Sequence, residues 1–170
     1  MLPRDLLADA FSRIQEEVHA AVEGLTDDQL VRRLDDGANT VAWLVWHLTR
    51  VQDDHVAEVA GREQTWTADG WADRFGLSLP VHDTGYAHGP AEVATVRAGA
   101  DLLTGYLDAV TAQTHAYLAG LEADELDRVV DERWDPPVTL GVRLISVVAD
   151  DLQHVGQAAF VRGVLKRGSS

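Results

Sequence analysis

The placement of apolar residues constrains this chain more than any other feature. They recur at intervals of three and four over four long stretches, each bounded by helix stop or start residues. From Leu6 to Glu23 the positions Leu6, Leu7, Ala10, Phe11, Ile14, Val18, Ala21 and Val22 hold the helical period, with Pro3 suited to the first turn and Gly24 ending the run. Asn39 or Thr40 can cap a second helix from Val41 to Ala60, whose face is Val41, Leu44, Val45, Leu48, Val51, Val56 and Val59, with Gly61 as the stop. A third runs from Ala91 to Leu118 and ends at Gly120. Thr139 caps a fourth, from Leu140 to Leu165. Each helix has one apolar stripe to bury, and four such stripes satisfy one another as a four-helix bundle. The expected class is therefore all-α, one domain over residues 1–170, with a long irregular crossover between the second and third helices.

The connections differ in character. Thr26-Asp27-Asp28-Gln29 has a capping-box pattern that Asp35-Asp36-Gly37 cuts short. Arg62–Pro90 carries Trp66, Trp71, Tyr86 and His88 among six glycines and prolines at Gly70, Gly76, Pro80, Gly85, Gly89 and Pro90, with room for one helical turn near Trp71–Phe75. A loop of that length in a compact fold usually has a task, such as covering a site. Glu122–Arg128 reads as a brief helical segment and Trp134-Asp135-Pro136-Pro137 as a turn. No strand pattern of useful length, internal repeat or low-complexity tract is visible.

Charge and composition exclude several functions. Asp and Glu number 28 against 14 Lys and Arg, for a net charge of -14. Nucleic-acid backbones and anionic membrane surfaces are recruited by clustered cations, so neither is an expected partner. There is no cysteine, which removes disulfides, thiolate nucleophiles and cysteine-held metal clusters. Any metal must be held by His, Asp, Glu or neutral oxygens. No apolar run is long enough to span a bilayer, and Met1-Leu2-Pro3-Arg4-Asp5 lacks a leader's apolar core, so a cytoplasmic location is expected.

One constellation carries chemistry. Asp150 and His154 are four apart on the last helix and so share a face, in line with Val147, Val161 and Leu165. A carboxylate and an imidazole turned toward a core need a partner. His47, on the second helix one turn after Trp43 and one before Val51, can supply the third ligand of a two-His-one-carboxylate metal site with open positions. Gln157, one turn beyond His154, could hydrogen-bond behind it. Spacing alone equally allows a surface Asp–His pair and a hydrogen-bonded core histidine. Asp151 is the alternative acid, but it lies about 100° around the helix, on the line of Leu144 and Val148. His55, two turns past His47, either lines the same cavity or faces water. His19 and His115 sit mid-helix without a carboxylate at a useful offset, and His82 and His88 fall in the loop. Arg50, one turn after His47, is a candidate for assisting an anionic substrate.

The segment Gly37-Ala38-Asn39-Thr40-Val41-Ala42-Trp43-Leu44-Val45-Trp46-His47-Leu48, with Asp150-Asp151-Leu152-Gln153-His154-Val155-Gly156-Gln157, resembles the DinB-like superfamily of metal-binding four-helix bundles. That family pairs a histidine on the second helix with two ligands four apart on the fourth, ending in His-x-Gly-Gln. The resemblance covers essentially the whole chain and implies His47, Asp150 and His154 as ligands of a divalent metal, zinc by default, with nickel or iron compatible. Many relatives carry histidine where Asp150 stands, while those similar to mycothiol-dependent maleylpyruvate isomerase carry a carboxylate.

The resemblance further implies a transferase or isomerase that uses a small thiol such as mycothiol, bacillithiol or glutathione, with a small-molecule electrophile as partner and a role in detoxification. A chain without cysteine must borrow its thiol, and a coordinated thiol is deprotonated at neutral pH. Two other functions are compatible with the same residues: a metal-dependent hydrolase, and a stress-related metal-binding bundle without turnover. A homodimer is compatible with spare apolar helix faces.

Overall fold

The computed structural model describes residues 1–168. Its frame is four long helices: α1 (Pro3–Val22), α3 (Val41–Ala60), α7 (Ala100–Ala119) and α8 (Leu140–Arg167). Short helices lie between them: α2 (Asp27–Leu30), α4 (Thr65–Ala68), α5 (Trp71–Phe75) and α6 (Pro90–Thr95). The long helices start where side chains satisfy their first free amides. Thr40 Oγ1 accepts from the Trp43 N–H at 3.0 Å, and Thr139 Oγ1 from the Val142 N–H at 3.4 Å. α3 stops at Gly61, whose φ of +63° is the left-handed cap geometry.

α8 packs on α1 and α3, and α7 packs on the same two helices from the other side. Phe11, Ile14 and Val18 of α1, Leu44 and Leu48 of α3, Leu103 and Leu107 of α7, and Leu140 and Leu144 of α8 fill the centre. α3 and α8 run antiparallel, since His47 lies near His154 while Glu58 reaches Arg143. Among the described residues no helix is long and apolar enough to cross a membrane.

Two expectations are corrected. The single third helix over 91–118 is interrupted: α6 ends at Thr95, Val96 is extended (φ −80°, ψ 96°), and α7 begins after Gly99. Val93, Val96 and Ala98 are buried on both sides of the break, so the apolar spacing continues where the backbone does not. Gly99 passes close to Asp27: a Cβ there would lie 3.0 Å from its carboxylate oxygen. The second correction is a small antiparallel hairpin, β1 (Val129–Asp131) with β2 (Val138–Thr139), around the Trp134–Pro137 turn. Its strands are too short to show a period of two. The expected segment at Glu122–Arg128 is a 3₁₀ turn over Ala123–Asp127.

Candidate metal centre

His47 comes to the α3–α8 seam because α3 is buried almost all round: every residue from Val41 to Arg50 is buried. On α8 the centre of the buried stripe is Leu144, Val147, Asp151, Ala158 and Leu165. Asp150 and His154 stand at the edge of that stripe, partly exposed, where they reach the seam without being sealed beneath it. One donor atom each from His47, Asp150 and His154 lie within 4.8 Å of one another. His154 Nε2 is 3.6 Å from Asp150 Oδ1, and the two imidazole rings are 4.7 Å apart and nearly perpendicular. Asp151 is not part of this group. It is fully buried with neither oxygen hydrogen-bonded, and burial, then the neighbouring Asp150 charge, pushes its carboxyl well above the usual range.

Both imidazoles are held from behind. His47 Nδ1 lies 2.5 Å from the Thr84 carbonyl oxygen, which can only accept, so Nδ1 carries the proton and Nε2 keeps its lone pair. His154 Nδ1 is 3.4 Å from Gln157 Oε1. Burial lowers the His47 pKa, so the ring is neutral and ready to donate to a cation. The bond to Asp150 raises His154, while Asp150 is lowered: burial works the other way, but the neighbouring His154 and His47 outweigh it. Asp150 Oδ2 is buried and has no hydrogen-bond partner. Two imidazole nitrogens, a carboxylate with an orphaned oxygen, and outer hydrogen bonds that orient both rings fit a borderline divalent cation such as zinc.

The crossover loop is clamped against α3 by groups the sequence reading did not find. Trp43 stacks on His47 (centroids 4.6 Å, 14° between planes), and its Nε1–H donates to His88 Nδ1 at 3.1 Å. His88 therefore carries its proton on Nε2, which donates to Asp83 Oδ2 at 3.0 Å. Asp83 Oδ1 accepts from the Gly85 N–H at 2.8 Å, closing a turn that presents the Thr84 carbonyl to His47. These bonds hold the Asp83 carboxyl below its ordinary range, against the opposing effect of its burial. Gly85 has φ +92°, and a Cβ there would lie 2.7 Å from His47 Nδ1. Asp83 followed two residues later by glycine is the local signal of that turn.

Arg50 does not face the cavity. It is fully buried, donating from Nε to the Asp83 carbonyl (3.2 Å) and from Nη1 to Tyr106 Oη (3.2 Å), above the Trp66 ring. Asp53 beside it accepts from Tyr106 and from the Thr65 and Trp66 amides, so this pair anchors the crossover. His55 lines the cleft and its Nδ1 accepts from Arg143, 3.1 Å away. His19 pairs with Asp108 and His115 with Ser12, both between α1 and α7; His82 is exposed.

His47 and Asp150 line a cleft of about 870 Å³, whose walls include Thr84 and Tyr86 from the crossover and Trp134 from the hairpin turn. A model of the family described as mycothiol-S-transferase matches residues 6–167. The chain belongs to the mycothiol-S-transferase family. Its fold is that of a DinB-like bundle, as the resemblance implied. A crystal structure of a conserved protein from Enterococcus faecalis is similar at 31% identity over 95% of this chain and 96% of that one, with a TM-score of 0.89. No functionally curated protein matches the chain.

Proposed function

We propose that this chain, as one domain, is a cytoplasmic, divalent-metal-dependent transferase that joins mycothiol to an electrophilic small molecule, with His47, Asp150 and His154 as the metal ligands. The observation that carries this reading is the convergence of those three donors, both rings oriented from behind, beside a cleft that His47 and Asp150 line and that is large enough for two small reactants. A divalent cation held there supplies Lewis acidity, which favours the thiolate form of a sulfur donor at neutral pH. Zinc suits the two-imidazole, one-carboxylate set.

The chain's own residues have distinct tasks. Thr84 and Gln157 accept from Nδ1 of His47 and His154, which leaves Nε2 of each ring as the atom free to hold a metal. Trp43 and Val147 shield the inner side from water, which strengthens electrostatic interactions there. Tyr86 and the crossover flank the open side, where an electrophile can approach the sulfur. In the reaction a C–S bond forms, the bond from carbon to its leaving group breaks, and the thiol proton passes to solvent through the open cleft.

A detoxifying role follows from conjugation of electrophiles. Val142, Ile145, Leu152 and Phe160 form an outward apolar stripe on α8 that offers a surface for a homodimer, which sedimentation analysis tests. The main experiment measures zinc-loaded protein with mycothiol and monochlorobimane. Conjugation that needs both metal and thiol, and that is lost in His154→Ala, supports the reading. Ester or amide hydrolysis without thiol sinks it in favour of a hydrolase, and metal binding without any turnover leaves a binding protein.

A further inference from the structure

His55 stands on α3 two turns beyond His47, about 12 Å further along the axis, and lines the same cleft. Across the seam His47 meets His154 and His55 meets Arg143, so Asp150 lies at a level between them. Arg143 Nη1 donates to His55 Nδ1 at 3.1 Å. A guanidinium can only donate, so Nδ1 holds a lone pair and the proton of the neutral ring sits on Nε2. Burial, then the Arg143 charge, lowers the His55 pKa against the pull of Asp54, Glu58 and Asp150, and the ring is uncharged at neutral pH. Nε2 has no hydrogen-bond partner among the described residues, and the side chain keeps 37% of its surface exposed. His55 thus offers the cleft an open N–H, and it cannot serve as a base while Arg143 occupies its other nitrogen.

The charged donors around it are committed elsewhere. Arg143 also holds Glu58 at 2.6 Å and Asp131 at 3.2 Å, and Arg133 grips Asp131 through two bonds. Arg62 donates to the Glu63 carbonyl and the Thr65 hydroxyl, and its remaining nitrogens are sealed. Asp54, Glu58, Asp131 and Asp150 line the same walls. An anionic reactant at this end finds no uncommitted cation and meets four carboxylates. An uncharged reactant avoids that repulsion, and an electronegative atom on it finds the His55 N–H.

We propose that His55 is a catalytic hydrogen-bond donor of the transfer, its Nε2–H serving the leaving group of an uncharged electrophile. The proposal rests on the transferase reading above. An in-line displacement needs its nucleophile and its leaving group at opposite ends, and His47 and His55 mark two ends of one cleft wall. The sulfur attacks from the His47 end, the C–S bond forms, and the leaving group departs toward His55 with the bonding pair. Nε2 keeps its proton throughout and stabilises the negative charge that gathers on the departing atom. The thiol proton still goes to solvent.

Zinc-loaded protein, mycothiol and the pair monochlorobimane and monobromobimane test this, since chloride is the stronger acceptor and the poorer leaving group. His55→Phe is expected to lower kcat for the chloride by about a hundredfold, the lower end for loss of one placed donor, and for the bromide by less. His55→Gln, whose amide keeps an N–H near the Nε2 position, should restore part of that loss. Zinc affinity in chelator competition should be the same in all three proteins. Long-range proton–nitrogen NMR spectra of the wild-type imidazoles read the tautomer whether or not a variant folds. An Nδ1–H or doubly protonated His55 at neutral pH overturns the proposal, as does an equal loss for the two halides. A zinc affinity that falls in step with kcat overturns it in favour of a metal-holding role. Unchanged conjugation by folded His55→Phe strikes this role alone, whereas no conjugation by the wild-type protein strikes the transferase reading and this role with it.

Discussion

Replacing Gly85 by alanine tests whether the crossover loop orients His47, the proposed metal ligand. Two costs arise, and the structure provides a means of separating them. The first is backbone strain, since φ is +92° and an L side chain disfavours the left-handed region by about 1–2 kcal/mol. Gly61, with φ +63° and nothing within 4 Å of a built Cβ, carries that cost alone. The second cost belongs to Gly85: its Cβ would lie 2.7 Å from His47 Nδ1 and 3.0 Å from Trp46, well inside ordinary contact. Trp43 is stacked on the His47 ring, so the imidazole has little freedom to yield and the Thr84 bond must stretch. Overpacking of this kind adds about 1–3 kcal/mol. Misplacing the outer partner of a ligand typically weakens metal affinity by roughly 10–100-fold. Thermal melts of chelator-treated protein should show Gly85→Ala falling further than Gly61→Ala, at about 2–4 °C for each kcal/mol. Zinc competition against a chromophoric chelator should show weakened binding in Gly85→Ala alone. Equal behaviour of the two variants in both assays would refute the orienting role of Thr84.

Further expectations follow from the same geometry. His154→Ala and Asp150→Asn should each lower zinc affinity by more than the roughly 10–100-fold of an outer-partner loss, read in the same competition assay. Asp151 has a raised folded pKa, so between its unfolded pKa of about 3.9 and that raised value the folded state holds a proton that the unfolded state releases. Stability of the metal-free protein should therefore fall as pH rises through that window, and urea titrations of Asp151→Asn should lack this decline; parallel curves would contradict it. Tyr106→Phe removes a donor to Asp53 and an acceptor for Arg50 inside the core and should cost about 1–3 kcal/mol in urea denaturation, with zinc binding retained.

The sequence revealed those features that depend on period and local chemistry. Four apolar runs and the Thr40 and Thr139 caps were legible because each is decided within a few turns of chain. The interruption between Thr95 and Ala100 was not, because Val93, Val96 and Ala98 stay buried and keep the spacing while the backbone extends. The Asp83–His88–Trp43 chain was hidden for a different reason. Its partners lie 40 or more positions apart in the case of Trp43 and His88, and only the folded crossover brings them together. Arg143 was nearer to hand: it stands seven residues before Asp150, hence on a neighbouring line of α8, and its placement in the cleft was open to the same helical argument.

Arg50 and Asp151 show where a helical offset misleads. Arg50 is one turn from His47, but the rotation between them carries it toward α7 and Tyr106, away from the seam with α8. Asp151 adjoins Asp150, yet about 100° of rotation puts it at the centre of the stripe that α8 buries. At that centre a carboxylate is sealed, deprived of partners and pushed by burial toward its protonated form, so it is poorly suited to hold a cation. Asp150 and His154 occupy the edge of the same stripe, where burial is sufficient to orient them while both stay partly exposed and Asp150 lines the cleft. Reading a bundle for metal ligands therefore means looking along the borders of its apolar faces, where a side chain can be held by packing and still reach a substrate.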